Sequence, residues 1–202
     1  MKHKLLLLLI ISLITSLTVI MSGGCNKIEN LSNSGSRLIV DLVTGRALDG
    51  TDKSTTVFSD VITMVDGEPT IENDNASATL RAELLNPAPN NVSNYQDVIV
   101  DQIDISYTRS DRPNAVEGKD VPYGFSQRVN FLVALGSSAE YGFMLIQHTA
   151  KRESPLVELI YNGLVIKLEA NMTFYGKDLA GKRVAPVTTS ISVWCADFAD
   201  PK

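Results

Sequence analysis

The sequence predicts an all-β domain: an antiparallel β-sandwich of immunoglobulin-like or jelly-roll type, with a β-barrel as the second choice. Three observations carry this. From Ser36 onward, apolar residues alternate with polar ones instead of recurring at helical spacing. Turn formers break the chain roughly every 8–15 residues, leaving about eight or nine short strand-like segments. Near the C-terminus, two long alternating runs flank one glycine-containing turn, the pattern of an antiparallel hairpin.

Taken in order, Arg37–Val43 (RLIVDLV) and Thr56–Val65 (TVFSDVITMV) are β-branched and read as strands around a polar turn at Thr44–Ser54. Glu68–Ser77 (EPTIENDNAS) reads as a polar loop, and Thr79–Leu84 as a strand or a short helical turn. Asn86–Asn91 holds two prolines, which leave little room for a ladder or a helix. Tyr95–Tyr107 reads as one long strand in which Val98 and Val100 share a phase that Ile103, Ile105 and Tyr107 do not continue. That change predicts a β-bulge between Val100 and Ile103.

Arg109–Tyr123 (RSDRPNAVEGKDVPY) is the longest charged irregular stretch. Strand patterns resume at Arg128–Leu135 and Tyr141–Thr149, with Gly136-Ser137-Ser138 placed to join them as a hairpin. Ser154–Tyr161 is ambiguous, since Pro155 suits a first helical turn but the segment is short. Leu164, Ile166, Leu168, Ala170, Met172 and Phe174 then share one face, Tyr175–Arg183 turns, and Val187, Ile191, Val193 and Cys195 share the next. Trp194 and Phe198 fall on the otherwise polar face, so that end is expected to be covered.

The N-terminus carries a different signal. Lys2, His3 and Lys4 precede an apolar run, Leu5–Met21, which ends in Ser22-Gly23-Gly24-Cys25. A basic head, an apolar core and small residues before a break make a secretory signal. With the cysteine directly after two glycines, the segment resembles a bacterial lipoprotein signal, although Ser22 stands where a leucine is usual. The resemblance implies cleavage after Gly24 and attachment of diacylglycerol and palmitate-type acyl chains to Cys25. Asn26 in place of an aspartate implies an outer-membrane address in a Gram-negative cell. Two other readings stay open: an ordinary secretory signal cut near Gly23 or Gly24, or a permanent span, for which the 17 residues of Leu5–Met21 fall short of the ~20 required. The predicted organisation is therefore 1–24 signal peptide, 25–36 lipidated cysteine and Asn/Ser/Gly-rich tether, and 37–202 a single β domain.

Composition limits the function. Lys2 and Lys4 leave with the signal, so 16 basic residues face 23 acidic ones, a net charge near −7. Such a surface argues against nucleic acid as a partner. Cys25 and Cys195 are the only cysteines; a lipidated Cys25 leaves no disulfide, and Cys195 reads as a small buried hydrophobe. His148 shares a face with Met144 and Ile146 and reads as a core or boundary residue, without a nucleophile motif to accompany it. Oxygen ligands for calcium are offered by Glu72-Asn73-Asp74-Asn75, by Asp101 with Asp104, and by Asp111 with Glu117 and Asp120, but none matches a known calcium loop.

No catalytic residue, cofactor or metal site is expected. The expected role is binding or structure at the cell envelope: a membrane partner through the lipid, and an envelope protein or surface ligand through the domain, with Arg109–Tyr123 as the candidate recognition loop. The alternative is a secreted envelope hydrolase using acidic residues, with or without calcium.

Overall fold

The computed structural model describes residues 34–48, 51, 53–86 and 94–198. The predicted signal with its cleavage point at Gly24, the lipid site Cys25 and the tether up to Asn33 lie outside them. The described chain is mostly β, with curled sheets that include a half-barrel. The strands are β1 (Ser36–Gly45), β2 (Thr56–Asp60), β3 (Thr63–Val65), β4 (Glu68–Thr70), β5 (Asp74–Leu84), β6 (Val98–Thr108), β7 (Phe125–Val133), β8 (Ser138–Ile146), β9 (Ile166–Asp178) and β10 (Val187–Ala196). Short helical turns occur at Asn94–Gln96, Ala150–Arg152 and Leu159–Asn162. No helix among the described residues is long and apolar enough to cross a membrane.

One sheet has the order β1-β5-β8, a second β2-β10-β9-β6-β7, and β3-β4 form a small hairpin of their own. The alternation seen in the sequence becomes the core. Ala76, Ala78, Leu80 and Ala82 of β5 are buried, as are Leu168, Ala170, Met172 and Phe174 of β9 and Ile191, Val193 and Cys195 of β10, all in one cluster. Each large side chain so buried contributes roughly 1.5–3 kcal/mol. Phe143 of β8 meets Phe174 of β9 edge-on, with centroids 5.8 Å apart, which ties the two sheets together.

The predicted bulge is present. Both ladders of β6 shift register between Val100 and Gln102, so Asp101 is the extra residue and Ile103 regains the buried face. The β9–β10 hairpin is also as expected, with Val187 opposite Phe174 and Cys195 opposite Ile166. Trp194 packs against Phe58, which in turn meets Phe198, and Lys167 Nζ lies 4.0 Å from the centre of the Trp194 ring.

Several expectations need correction. Gly136-Ser137-Ser138 does not close a hairpin, because β7 pairs with β6 while β8 pairs with β5. Gly136, at φ +73°, donates its N–H to Ala82 O at 2.8 Å, and Asp97 Oδ1 accepts from Leu135 N at 2.8 Å. These contacts carry the chain from one sheet to the other. Thr56–Val65 is interrupted after Asp60, and the Glu68–Ser77 loop contains β4 and the start of β5. β2 runs parallel to β10, an exception to an otherwise antiparallel set of ladders. Leu164 is 61% exposed and precedes β9 instead of opening its buried face. Strand β9 also continues through Tyr175 to Asp178, shortening the predicted turn.

The sheet edges approach each other at two seams. Between β7 and β8, Gln127 Nε2 donates to Met144 O at 2.8 Å and its Oε1 accepts from Met144 N at 3.2 Å. Phe131 and Tyr141 stack beside it with centroids 4.5 Å apart. Between β1 and β2, Gly45 and Ser54 exchange backbone bonds of 2.9 and 3.0 Å.

Register also fixes which connections share an end. Ser36 pairs with Leu84, and Val98 with both Val133 and Asp178, so these residues mark one end, the root. Gly45 pairs with Ala76, Thr108 with Glu169, and Asp74 with Ile146, marking the opposite end, the crown. The described chain begins at the root, where Ser34 N donates to Arg183 O. The long segments 61–73, 109–124 and 147–165 all lie at the crown.

Candidate functional site

The crown is built around the Arg109–Tyr123 segment, which its own charges hold in shape. Arg109 forms a two-pronged pair with Asp111, Nε to Oδ1 at 2.9 Å and Nη2 to Oδ2 at 2.6 Å. Its third nitrogen, Nη1, donates to Asp120 O at 3.3 Å. Asp120 is buried; its Oδ2 accepts from Val116 N at 3.0 Å and its Oδ1 pairs with Arg112. The Val116 N–H, followed by Arg112, holds the Asp120 carboxyl below the ordinary carboxylate range. Arg109 does the same to Asp111. Gly118 takes φ +75° in this turn, and Glu117 Oε1 accepts from Gly124 N at 3.3 Å. The stretch is irregular yet strongly determined.

Its C-terminal end faces the connection between β8 and β9. Pro122, Tyr123 and Gly124 on one side and Gln147, Thr149, Ala150, Glu153 and Ser154 on the other enclose an open cleft of about 70 Å³. Tyr123 is 59% exposed beside it, and Tyr161 and Val165 on the same connection are 85% and 48% exposed. Amphipathic aromatic side chains left exposed in this way are the residues protein interfaces favour.

Next to cleft-lining Ala150 in the chain, Lys151 centres a buried polar cluster. Lys151, 1% exposed, donates to Asp60 O at 2.6 Å and to Asp74 Oδ1 at 2.9 Å. Ser59 Oγ donates to Asp74 Oδ2 at 2.6 Å. Burial raises the Asp74 carboxyl above its ordinary value, against the opposing pull of Lys151 and Ser59. Cys195 pairs in register with Ser59 and is fully buried; burial, then the charge of Asp74, pushes its thiol up to about 12. A thiol so raised is an inert core residue, as its strand position suggested.

The other sequence-derived candidates fall as follows. His148 lies in the turn after β8; its N–H donates to Asn73 Oδ1 at 2.7 Å and its ring Nδ1 is 3.1 Å from the same oxygen. It therefore fastens that turn to the segment before β5. The three acidic sets stay apart. Within Glu72–Asn75, Asp74 turns inward to Lys151 and Asn73 holds His148. Asp101 lies 3.6 Å from Lys177, whereas Asp104 accepts from Gln102 Nε2 at 2.6 Å. Asp111, Glu117 and Asp120 serve different donors within their loop. Among the described residues, no three His, Cys, Asp or Glu side chains are grouped to hold a metal ion.

Lys151 was missed from sequence. Next to Arg152 and Glu153 it looks like part of a solvated charged run, and its partners Asp60 and Asp74 are 91 and 77 residues away. The chain matches no family model, no curated protein and no solved structure.

Proposed function

We propose that this chain is a lipid-anchored cell-envelope protein, attached through Cys25, whose crown binds an envelope protein or surface ligand without catalysis. The observation that carries the reading is the opposition of the two ends. The described chain begins at the root, while the 109–124 and 147–165 segments, with their cleft and exposed Tyr123 and Tyr161, lie at the crown. The described chain thus enters the domain at the end away from these segments, which suits a partner-binding crown. One acyl chain holds only marginally, so stable attachment rests on the two or more chains that the lipoprotein resemblance implies. Asn26 favours the outer membrane where the cell has one.

The hydrolase alternative requires several carboxylates turned into one cleft. Glu153 lines this one, while Asp111, Asp120 and Asp74 are engaged by Arg109, Arg112 and Lys151. Within the mostly-β class, sheets of three and five strands lining one core suit the sandwich, while the bridged β7–β8 and β1–β2 seams suit the barrel.

Fractionation and mass analysis of the protein from its native host test the anchoring. The reading expects a mature N-terminus at Cys25 carrying diacylglycerol, membrane recovery, and loss of both in Cys25→Ser. A soluble, unmodified mature chain would contradict it.

A further inference from the structure

Lys151 heads the fully buried side chains of the described residues by size, and its ammonium is spent on two acceptors, Asp60 O at 2.6 Å and Asp74 Oδ1 at 2.9 Å. Ser59 Oγ occupies the other carboxylate oxygen, Oδ2, at 2.6 Å. Keeping two ions dry costs several kcal/mol for each. Moving one proton from nitrogen to carboxylate removes both charges, and burial already biases the Asp74 carboxyl in that direction. The nitrogen and the carboxyl group are held against each other in a water-poor site.

We propose that Lys151 and Asp74 are joined by an intramolecular amide, formed after folding. The Nζ lone pair attacks Asp74 Cγ, and the N–C bond forms as the C=Oδ2 electrons move onto Oδ2. The Ser59 hydroxyl already donates to that oxygen, so it stabilises the charge developing there. A proton then passes from Nζ to the Oδ1 hydroxyl, the Cγ–Oδ1 bond breaks, and one water leaves as the Oδ2 carbonyl re-forms. Nothing is oxidised or reduced, and no other reactant enters.

The surroundings suit the product. The one remaining amide N–H donates to Asp60 O, and the amide oxygen keeps the Ser59 hydroxyl, so both polar groups are satisfied without a buried charge. The bond would fasten the Ala150–Arg152 turn, whose Ala150 lines the cleft, to the first residue of β5. It constrains the unfolded chain as a disulfide does, in a domain whose described cysteine is free and buried.

The test is peptide mapping by mass spectrometry of the full chain purified from its host. The amide predicts one branched species containing Lys151 and Asp74, lighter than its two peptides by one water, about 18 Da, with trypsin unable to cut after Lys151. It also predicts that Lys151→Arg yields both segments unlinked. Recovery of the wild-type segments only as separate peptides at full mass, with cleavage after Lys151, would overturn the proposal. So would the same water loss in Lys151→Arg. The decisive reading is made on the wild-type chain and does not depend on a variant folding.

Discussion

The hydroxyl of Tyr107, on β6, donates to the backbone oxygen of Leu145, on β8, at 2.6 Å, a hydrogen bond that crosses the core between the two sheets. Tyr107→Phe keeps the ring but leaves that carbonyl buried without this donor. The expected loss is about 1–3 kcal/mol, read as a lower urea midpoint at unchanged slope. A variant as stable as the wild type would show that the sheets do not depend on this tie.

Cys195 sets the behaviour in alkali. Burial raises its thiol from 9.0 to about 12, so the folded state holds a proton that the unfolded chain releases first. This contribution to stability is fully present below pH 9.0 and falls as pH rises toward about 12. The slope for one such proton is about 1.4 kcal/mol per pH unit. Cys195→Ala should be less stable at neutral pH and show a flatter decline above pH 9. Parallel curves for the two proteins would contradict this assignment.

Gly176 lies opposite Val100, next to the Asp101 bulge, and a Cβ placed on it would sit 2.8 Å from Ile99 O. The obstacle is backbone, so the strands must part or bend. Gly176→Ala should cost about 1–3 kcal/mol by chemical denaturation. Gly142, whose Cβ would meet nothing within 4 Å, is the contrasting site and should tolerate alanine far better.

Asp120 holds the crown loop through Val116 N and Arg112. Its carboxyl is held below the ordinary value of 3.8, so the order it confers is present above that value and lost as pH falls through the lowered one. Asp120→Asn keeps the size and removes the charge. Trypsin should then cut after Arg109, whose next residue is Ser110, several-fold faster at neutral pH, with the thermal midpoint of the domain little changed. Equal cleavage rates would mean that the loop is held by its backbone turns alone.

Where strands alternate strictly, the sequence was enough. Leu168 to Phe174 and Ile191 to Cys195 pack as their spacing predicts, and the phase change at Val100 locates the bulge because a single extra residue reverses every later side chain. The start of β5 was hidden because its inward residues are Ala76 and Ala78, weak strand formers set among Asp74, Asn75 and Ser77, which resemble a turn. The sheet change at Gly136 was equally invisible: a glycine turn between two strands looks like a hairpin until Ala82, far back in the chain, accepts its N–H. The loop charges at Arg109 to Asp120 are local and could be seen as a cluster, although their pairing could not. The Lys151 site depends wholly on distant partners.

The most direct test of the account places a photo-crosslinking residue, in the native host, at Tyr123 or Tyr161 on the crown and at Leu85 or Leu179 at the root; all four positions are exposed. The account predicts one discrete adduct shared by the two crown positions and absent from the two root positions. Adducts confined to Leu85 and Leu179, or the same adduct from all four, would contradict a crown that binds.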